Sequence, residues 1–214
     1  MATVDDRTST PGGPTWEIAH LFPNQGAWTV DEYLAMDTNH LVEFSEGTLE
    51  VLPMPTEEHQ LIVAFLFEML KTFIAPRKLG TVVFAPLRVQ LWEGKFREPD
   101  IVFLLAEHAD RRGDRFWRGA DLVMEVVSED DPDRDIVQKR DEYARAGIAE
   151  YWIVDPRDRT ITVLALEATT GSYREVGTFG TGGRACSRLL EGFHVDVDAA
   201  FSQDGPGSAA NTRL

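Results

Sequence analysis

The stretch Leu122-Val123-Met124-Glu125-Val126-Val127 is apolar at every position but one. Continuous apolar runs of this kind mark strands buried on both faces. An ionised carboxylate at Glu125 is costly there unless a cation, a proton or a metal compensates it. The plainer alternative is a protonated or hydrogen-bonded core glutamate, or one at a solvated strand end. Asp100 opens a second apolar stretch, 100–105, directly after Pro99. If the two strands pair antiparallel across the intervening loop, both carboxylates arrive at one edge. Two carboxylates with carbonyl and water oxygens form a hard-oxygen site suited to Mg²⁺ or Mn²⁺. Pro-Asp by itself often only starts a strand or turn, so the pairing with Glu125 carries the weight.

A third residue belongs with these two. On a helix following the second strand, Ile136, Lys139/Arg140, Tyr143 and Ala146 recur at helical spacing on one face. Lys139 therefore lies beside the inward stripe, where its ammonium could orient a water or stabilise charge developing on a phosphate. Snorkelling from the stripe's edge, or a surface pair with Glu142, accounts for it equally well. Glu43 alternates with Val42 and Phe44, so it could add an acidic ligand, position a water, or face solvent. His59 precedes Ile62 by three on a helix, which suits a structural or capping histidine better than a catalytic one. Arg111, Arg112, Arg115 and Arg118 lie in the loop between the two acidic strands, mixed with Asp110 and Asp114. A solvated loop is the ordinary account; beside the site, they are the best candidates for touching nucleic acid.

The elements that must position these residues can be read from pattern. Thr29 with Glu32 forms a capping box that opens a short helix to about Met36. Residues 41–52 suggest two strands around Ser45-Glu46-Gly47, a hairpin signal. Thr56 caps a long helix to about Ile74, with Ile62, Phe65, Leu66, Met69 and Phe73 as its core stripe. Strands follow over 81–91, 100–105 and 121–128, then a helix from about Asp133 that stops at Gly147. Strands over 150–154 and 160–166 turn at Asp155-Pro156, and weaker ones lie near Tyr173 and Cys186. The order predicts a mixed α/β arrangement with a helix crossing between Val127 and Tyr151. Tyr151-Trp152 sits in an apolar strand and is expected to pack in the core. The glycines at 177, 180, 182 and 183 are no dinucleotide fingerprint, because no helix signal follows them.

Residues 1–14 and 203–214 are expected to be disordered tails, leaving one domain over 15–202. No apolar run approaches the ~20 residues that span a bilayer, and the polar N-terminus is no secretory signal. Cys186 is the single cysteine, which removes internal disulfides and fits a reducing cytoplasm. The five histidines are dispersed and form no zinc-like pair. A formal charge of −15 is the wrong sign for coating nucleic acid through a broad basic surface. Chemistry at one cleft is still open to it, since local cations can offset the field there.

Three segments together resemble a known family: Arg97-Glu98-Pro99-Asp100, Asp121-Leu-Val-Met-Glu125-Val-Val-Ser128, and Lys139…Tyr143, Gly147, Glu150-Tyr151-Trp152-Ile-Val-Asp155-Pro156. These are similar to the Uma-two family of endonuclease-like proteins. Glu43-Phe-Ser-Glu-Gly47 and His59 resemble earlier family segments, and the likeness runs from about Thr29 to Phe201. The resemblance implies a restriction-endonuclease-like α/β core, with a mixed central β-sheet flanked by α-helices. It further implies a Mg²⁺ or Mn²⁺ held by Asp100, Glu125 and the main-chain carbonyl of Val126, and hydrolysis of phosphodiester bonds in nucleic acid, DNA first. The superfamily signature places a lysine two residues after the second acid, where this chain has Val127. The resemblance assigns that role to Lys139 from the following helix. Cutting both strands of a duplex would favour a homodimer. Two rival expectations follow from the acidity: a non-catalytic scaffold or protein-interaction module on the same fold, or a nuclease active only with a DNA-targeting partner.

Overall fold

The computed structural model describes residues 23–36, 40–128 and 131–202. The expected tails at 1–14 and 203–214 lie outside these residues. Helix α1 (Val30–Ala35) is opened by the expected capping box. The Thr29 hydroxyl accepts from the Glu32 amide at 3.2 Å, and the Glu32 carboxylate accepts from the Thr29 amide at 2.8 Å. Strands β1 (Val42–Ser45) and β2 (Thr48–Val51) form the expected hairpin, with Ser45 paired to Thr48. Its two-residue turn needs left-handed backbone at both positions, and Glu46 (φ 48°) and Gly47 (φ 86°) supply it.

Helix α2 (Glu57–Ile74) is capped by Thr56, whose side chain accepts from the His59 amide. Its buried residues are Ile62, Val63, Leu66, Leu70 and Ile74, so the inward face is rotated from the expected stripe. Phe65 and Phe73 pack only partly, and Met69 is exposed. The segment Ile62 to Ile74 is apolar around more than half its circumference, and periodicity alone cannot choose which part turns inward.

The stretch expected as one strand over 81–91 divides into β3 (Gly80–Phe84) and β4 (Val89–Trp92), broken at Ala85-Pro86. Then come β5 (Lys95–Arg97), β6 (Ile101–Leu105), a 3₁₀ segment (Ala106–Arg111), β7 (Trp117–Arg118) and β8 (Leu122–Val126). A π-helical segment (Arg134–Lys139) runs into helix α3 (Arg140–Arg145), which ends at left-handed Gly147 (φ 77°). The chain finishes with β9 (Glu150–Asp155), β10 (Thr160–Glu167), β11 (Ser172–Phe179), β12 (Arg184–Cys186), β13 (His194–Asp196) and helix α4 (Val197–Ala200).

The main sheet has six strands in the order β11-β10-β9-β8-β6-β3, mixed in sense: β6 and β8 are antiparallel, β8 and β9 parallel. The π-helical segment and α3 make the expected crossover between that parallel pair. Alternate residues of β8 supply two cores. Leu122, Met124 and Val126 join α2, Trp152 and the β13–α4 end of the chain, whereas Val123 and Val127 join Tyr143, Ile148 and Tyr151 on the α3 side. Tyr151 and Trp152 thus pack in the core, as expected. A second sheet, β2-β1-β5-β4-β7, carries a smaller core of Tyr33, Val42, Phe44 and Phe96. Among the described residues no helix is long and apolar enough to cross a membrane.

Candidate active site

Antiparallel pairing of Ile101 with Met124 sets Asp100, just before β6, beside Glu125 near the end of β8. Each carboxylate is tied to the other's backbone. Asp100 Oδ2 accepts from the Val126 amide at 2.8 Å, and Glu125 Oε2 accepts from the Asp100 amide at 3.4 Å. Side chains complete the arrangement. The Tyr143 hydroxyl donates to Glu125 Oε1 at 2.5 Å, Lys139 Nζ lies 3.0 Å from the same oxygen, and His59 Nε2 lies 3.2 Å from Asp100 Oδ2. Asp100, Glu125, Val126, His59, Asp135 and Lys139 all line one cleft of about 310 Å³.

Glu125 is 2% exposed and Lys139 3% exposed, so both charges are removed from bulk water. Burial pushes the Glu125 carboxyl well above the usual carboxylate range; Lys139 opposes the shift, and Asp100 and Asp135 add to it. Burial also disfavours the Lys139 ammonium, but Glu125, Asp135 and Glu43 outweigh it and keep the amine charged. Asp135 meets Lys139 at 2.9 Å. At His59, burial is likewise overcome by the Asp100 hydrogen bond, which lifts the imidazole above its ordinary value.

Glu43 is neither a cleft ligand nor a solvated side chain. It is fully buried, does not line the cleft, and sits behind the amine, 3.9 Å from Lys139. There it accepts from Arg97 and from the Glu98 amide at 3.2 Å. Arg97 in turn forms a two-pronged pair with Glu142 on α3, at 2.7 and 2.9 Å. The four arginines at 111, 112, 115 and 118 are not beside the site. They belong to the connection leaving the C-terminal end of β6 and entering β8, whereas Asp100 and Glu125 lie at the other end of the pair. None of the four lines the cleft; Arg118 is held by the Asp110 carbonyl at 2.6 Å, and Arg112 by Thr81 at 3.2 Å. The cations that do line it are Lys139, Arg134 and Arg157.

Three residues take supporting roles that the sequence does not assign. Asp135 has a signal, its i, i+4 spacing to Lys139. Tyr143 lies on the expected inward face, and its partner is Glu125. Arg97 stands in one of the segments that carry the resemblance, but its pairings leave no local signal, because its partners lie 45 and 54 residues away.

The sequence model of the Uma2 family, described as "Putative restriction endonuclease", matches residues 30–198. The chain belongs to this family. Its fold is similar to the crystal structure of a "putative nuclease belonging to DUF820" from Anabaena variabilis, with a TM-score of 0.68 at 19% identity, covering 82% of this chain and 98% of that one. No curated protein matches the chain. In this Uma2 chain the strand position two residues past Glu125 is the buried Val127, and the amine that reaches Glu125 comes from the π-helical segment.

Asp100, Glu125 and Asp135 share this cleft, and Lys139 lies 3.0 Å from Glu125 and 2.9 Å from Asp135; a divalent cation bound there would favour the ionised form of Glu125 against its burial. Among the described residues no group of three or more histidine, cysteine or carboxylate side chains is arranged to hold a metal. Mg²⁺ does not require one, since it keeps several waters and is commonly bound through one or two carboxylates plus substrate phosphate. Asp100 and Glu125 are hard-oxygen donors of the kind such an ion takes.

Proposed function

We propose that the chain is a Mg²⁺- or Mn²⁺-dependent endonuclease that hydrolyses phosphodiester bonds of nucleic acid, with DNA as the expected substrate. The observation that carries this is the convergence in one cleft of Asp100, Glu125 and a charged Lys139, with the amine 3.0 Å from Glu125. Asp100, Glu125 and the Val126 carbonyl would hold the ion, whose chemistry there is Lewis-acid polarisation of a phosphoryl oxygen and activation of a water. Lys139 keeps its proton and stabilises negative charge developing on the phosphate. Tyr143 and Lys139 fix the orientation of one Glu125 oxygen, and His59 fixes Asp100. Asp135 holds the ammonium from its far side. We place the protein in the cytoplasm, consistent with its single cysteine, and assign two-strand cleavage to a two-fold dimer.

The test is cleavage of labelled single- and double-stranded oligonucleotides with Mn²⁺ and with chelator. Asp100→Ala, Glu125→Ala and Lys139→Ala should each lower the rate by about 10²-fold or more. Intact Mn²⁺-dependent cleavage in all three variants would sink the assignment. The formal charge of −15 favours a second reading, a scaffold that has lost catalysis or a nuclease delivered by a partner. Metal at ten times its Kd stabilises a native site by about 1.4 kcal/mol. A melting temperature unmoved by millimolar Mn²⁺ supports the scaffold, and cleavage only with an added DNA-targeting protein supports delivery.

A further inference from the structure

Among the described residues, four buried side-chain atoms have no hydrogen-bond partner: His59 Nδ1, Ser128 Oγ, Arg134 Nε and Asp135 Oδ1. All four residues line the cleft that holds Asp100 and Glu125. Unsatisfied buried polar groups are few in native proteins and cost free energy individually. All four therefore face one space, where a single ligand could meet more than one of them. One of the four is otherwise accounted for: Asp135 Oδ1 stands in the Lys139 ion pair at 2.9 Å without hydrogen-bond geometry. His59 Nδ1 belongs to a ring whose Nε2 is already committed to Asp100 at the proposed centre. Ser128 and Arg134 stand outside that centre.

Both can donate, and what they lack is an acceptor. Arg134 is 8% exposed, and among the described residues its guanidinium bonds through one terminal nitrogen to the half-exposed Glu50 at 3.3 Å. A guanidinium that water barely reaches, with an unused Nε–H, suits an oxyanion, which accepts from its planar fork. A phosphate of the strand being cut would be brought into this cleft by the substrate itself. Ser128 follows Glu125 by three residues, which span at most about 10 Å of extended chain. A phosphate bound there lies within a few nucleotides of the scissile bond.

We propose that Arg134 and Ser128 form a phosphate-binding subsite that grips the substrate strand beside the Asp100–Glu125 centre. The identity of the ligand as a strand phosphate rests on the nuclease assignment; the oxyanion site itself does not. It can be tested on the full chain, in chelator so that no metal contributes, by titrating inorganic phosphate and following heat and melting temperature. The wild type should bind, Arg134→Gln should weaken binding at least about tenfold, and Ser128→Ala should weaken it measurably. Ser128→Ala removes no ion pair of the described residues and decides the matter if Arg134→Gln does not fold. No binding by the wild type, or equal binding by the folded variants, overturns the subsite. In cleavage assays Arg134→Gln should raise KM by more than it lowers kcat. A wild type that binds phosphate through these residues but cuts nothing keeps the subsite and removes the nuclease assignment. One that cuts without binding phosphate does the reverse.

Discussion

Arg97 offers a quantitative test of how the amine is held. It is 1% exposed and spans three carboxylates: fully buried Glu43, Glu142 on α3, and Glu50 at 3.3 Å. Replacing it with methionine keeps most of its volume, so the cost comes from charge and not from a cavity. Glu142 retains Lys95 at 2.6 Å, and Glu50 is half-exposed and can turn to water. Glu43 is left with one backbone amide and Lys139 at 3.9 Å. Removing one partner of a buried pair costs ~3–5 kcal/mol, and the remaining Lys139 contact places Arg97→Met near the lower end. For a chain of this size that lowers the melting temperature by roughly 6–12 °C. Urea unfolding of Arg97→Met, Glu43→Gln and the double variant closes the cycle. Removing the orphaned charge with Glu43→Gln should recover at least about half of the loss. A loss below about 1 kcal/mol, or no recovery in the double variant, would refute the view that Arg97 compensates Glu43.

Three further outcomes are expected. Glu142 is largely buried; burial raises its carboxyl, but its bonds to Arg97 and Lys95 outweigh that and hold it below the usual glutamate range. A depressed carboxyl stabilises the fold above its unfolded value and loses that contribution as pH falls through the folded one, so Glu142→Gln should flatten the acid limb of stability below about pH 4.5, read by circular dichroism. Replacing Arg111, Arg112, Arg115 and Arg118 together by glutamine should change KM for oligonucleotide by less than about threefold, because these residues lie at the far end of β6 and β8; a loss above tenfold would show that substrate reaches that end. A methyl group on Gly80 would meet the Leu104 carbonyl oxygen at 2.0 Å, so Gly80→Ala should destabilise by about 3 kcal/mol or more and lower the yield of folded protein.

Much of this site could be read before the fold. Glu125 was conspicuous because a lone acid in an apolar strand demands a partner, and Lys139 and Tyr143 are those partners. The same antiparallel logic that joined Asp100 to Glu125 also fixes the arginine loop. With one acid at the start of the first strand and the other near the end of the second, the connection must lie at the opposite end. Its position beside the site was therefore contradicted by information already in the sequence. The rotation of α2 was less legible, since the helix packs both on the sheet and near Phe193 and Val197 of the C-terminal segment. The pairing of Arg97 with Glu43 is illegible for a different reason: ion pairs between distant segments leave no local period, and only tertiary structure shows that Glu43 is buried.

The helix-borne lysine has a consequence for how this chain could change. Val127 stands where a strand lysine would reach Glu125 along the sheet, but it is 2% exposed and packed with Tyr143 and Tyr151. A lysine restored there would have to thread through a filled interior, and a helix without Lys139 would strand Asp135 and Glu125 without their cation. Each half of the exchange is damaging before the other is made. The two placements of the amine are separated by a valley of poorly folded intermediates, so a chain that carries it on the helix is held there by its own core.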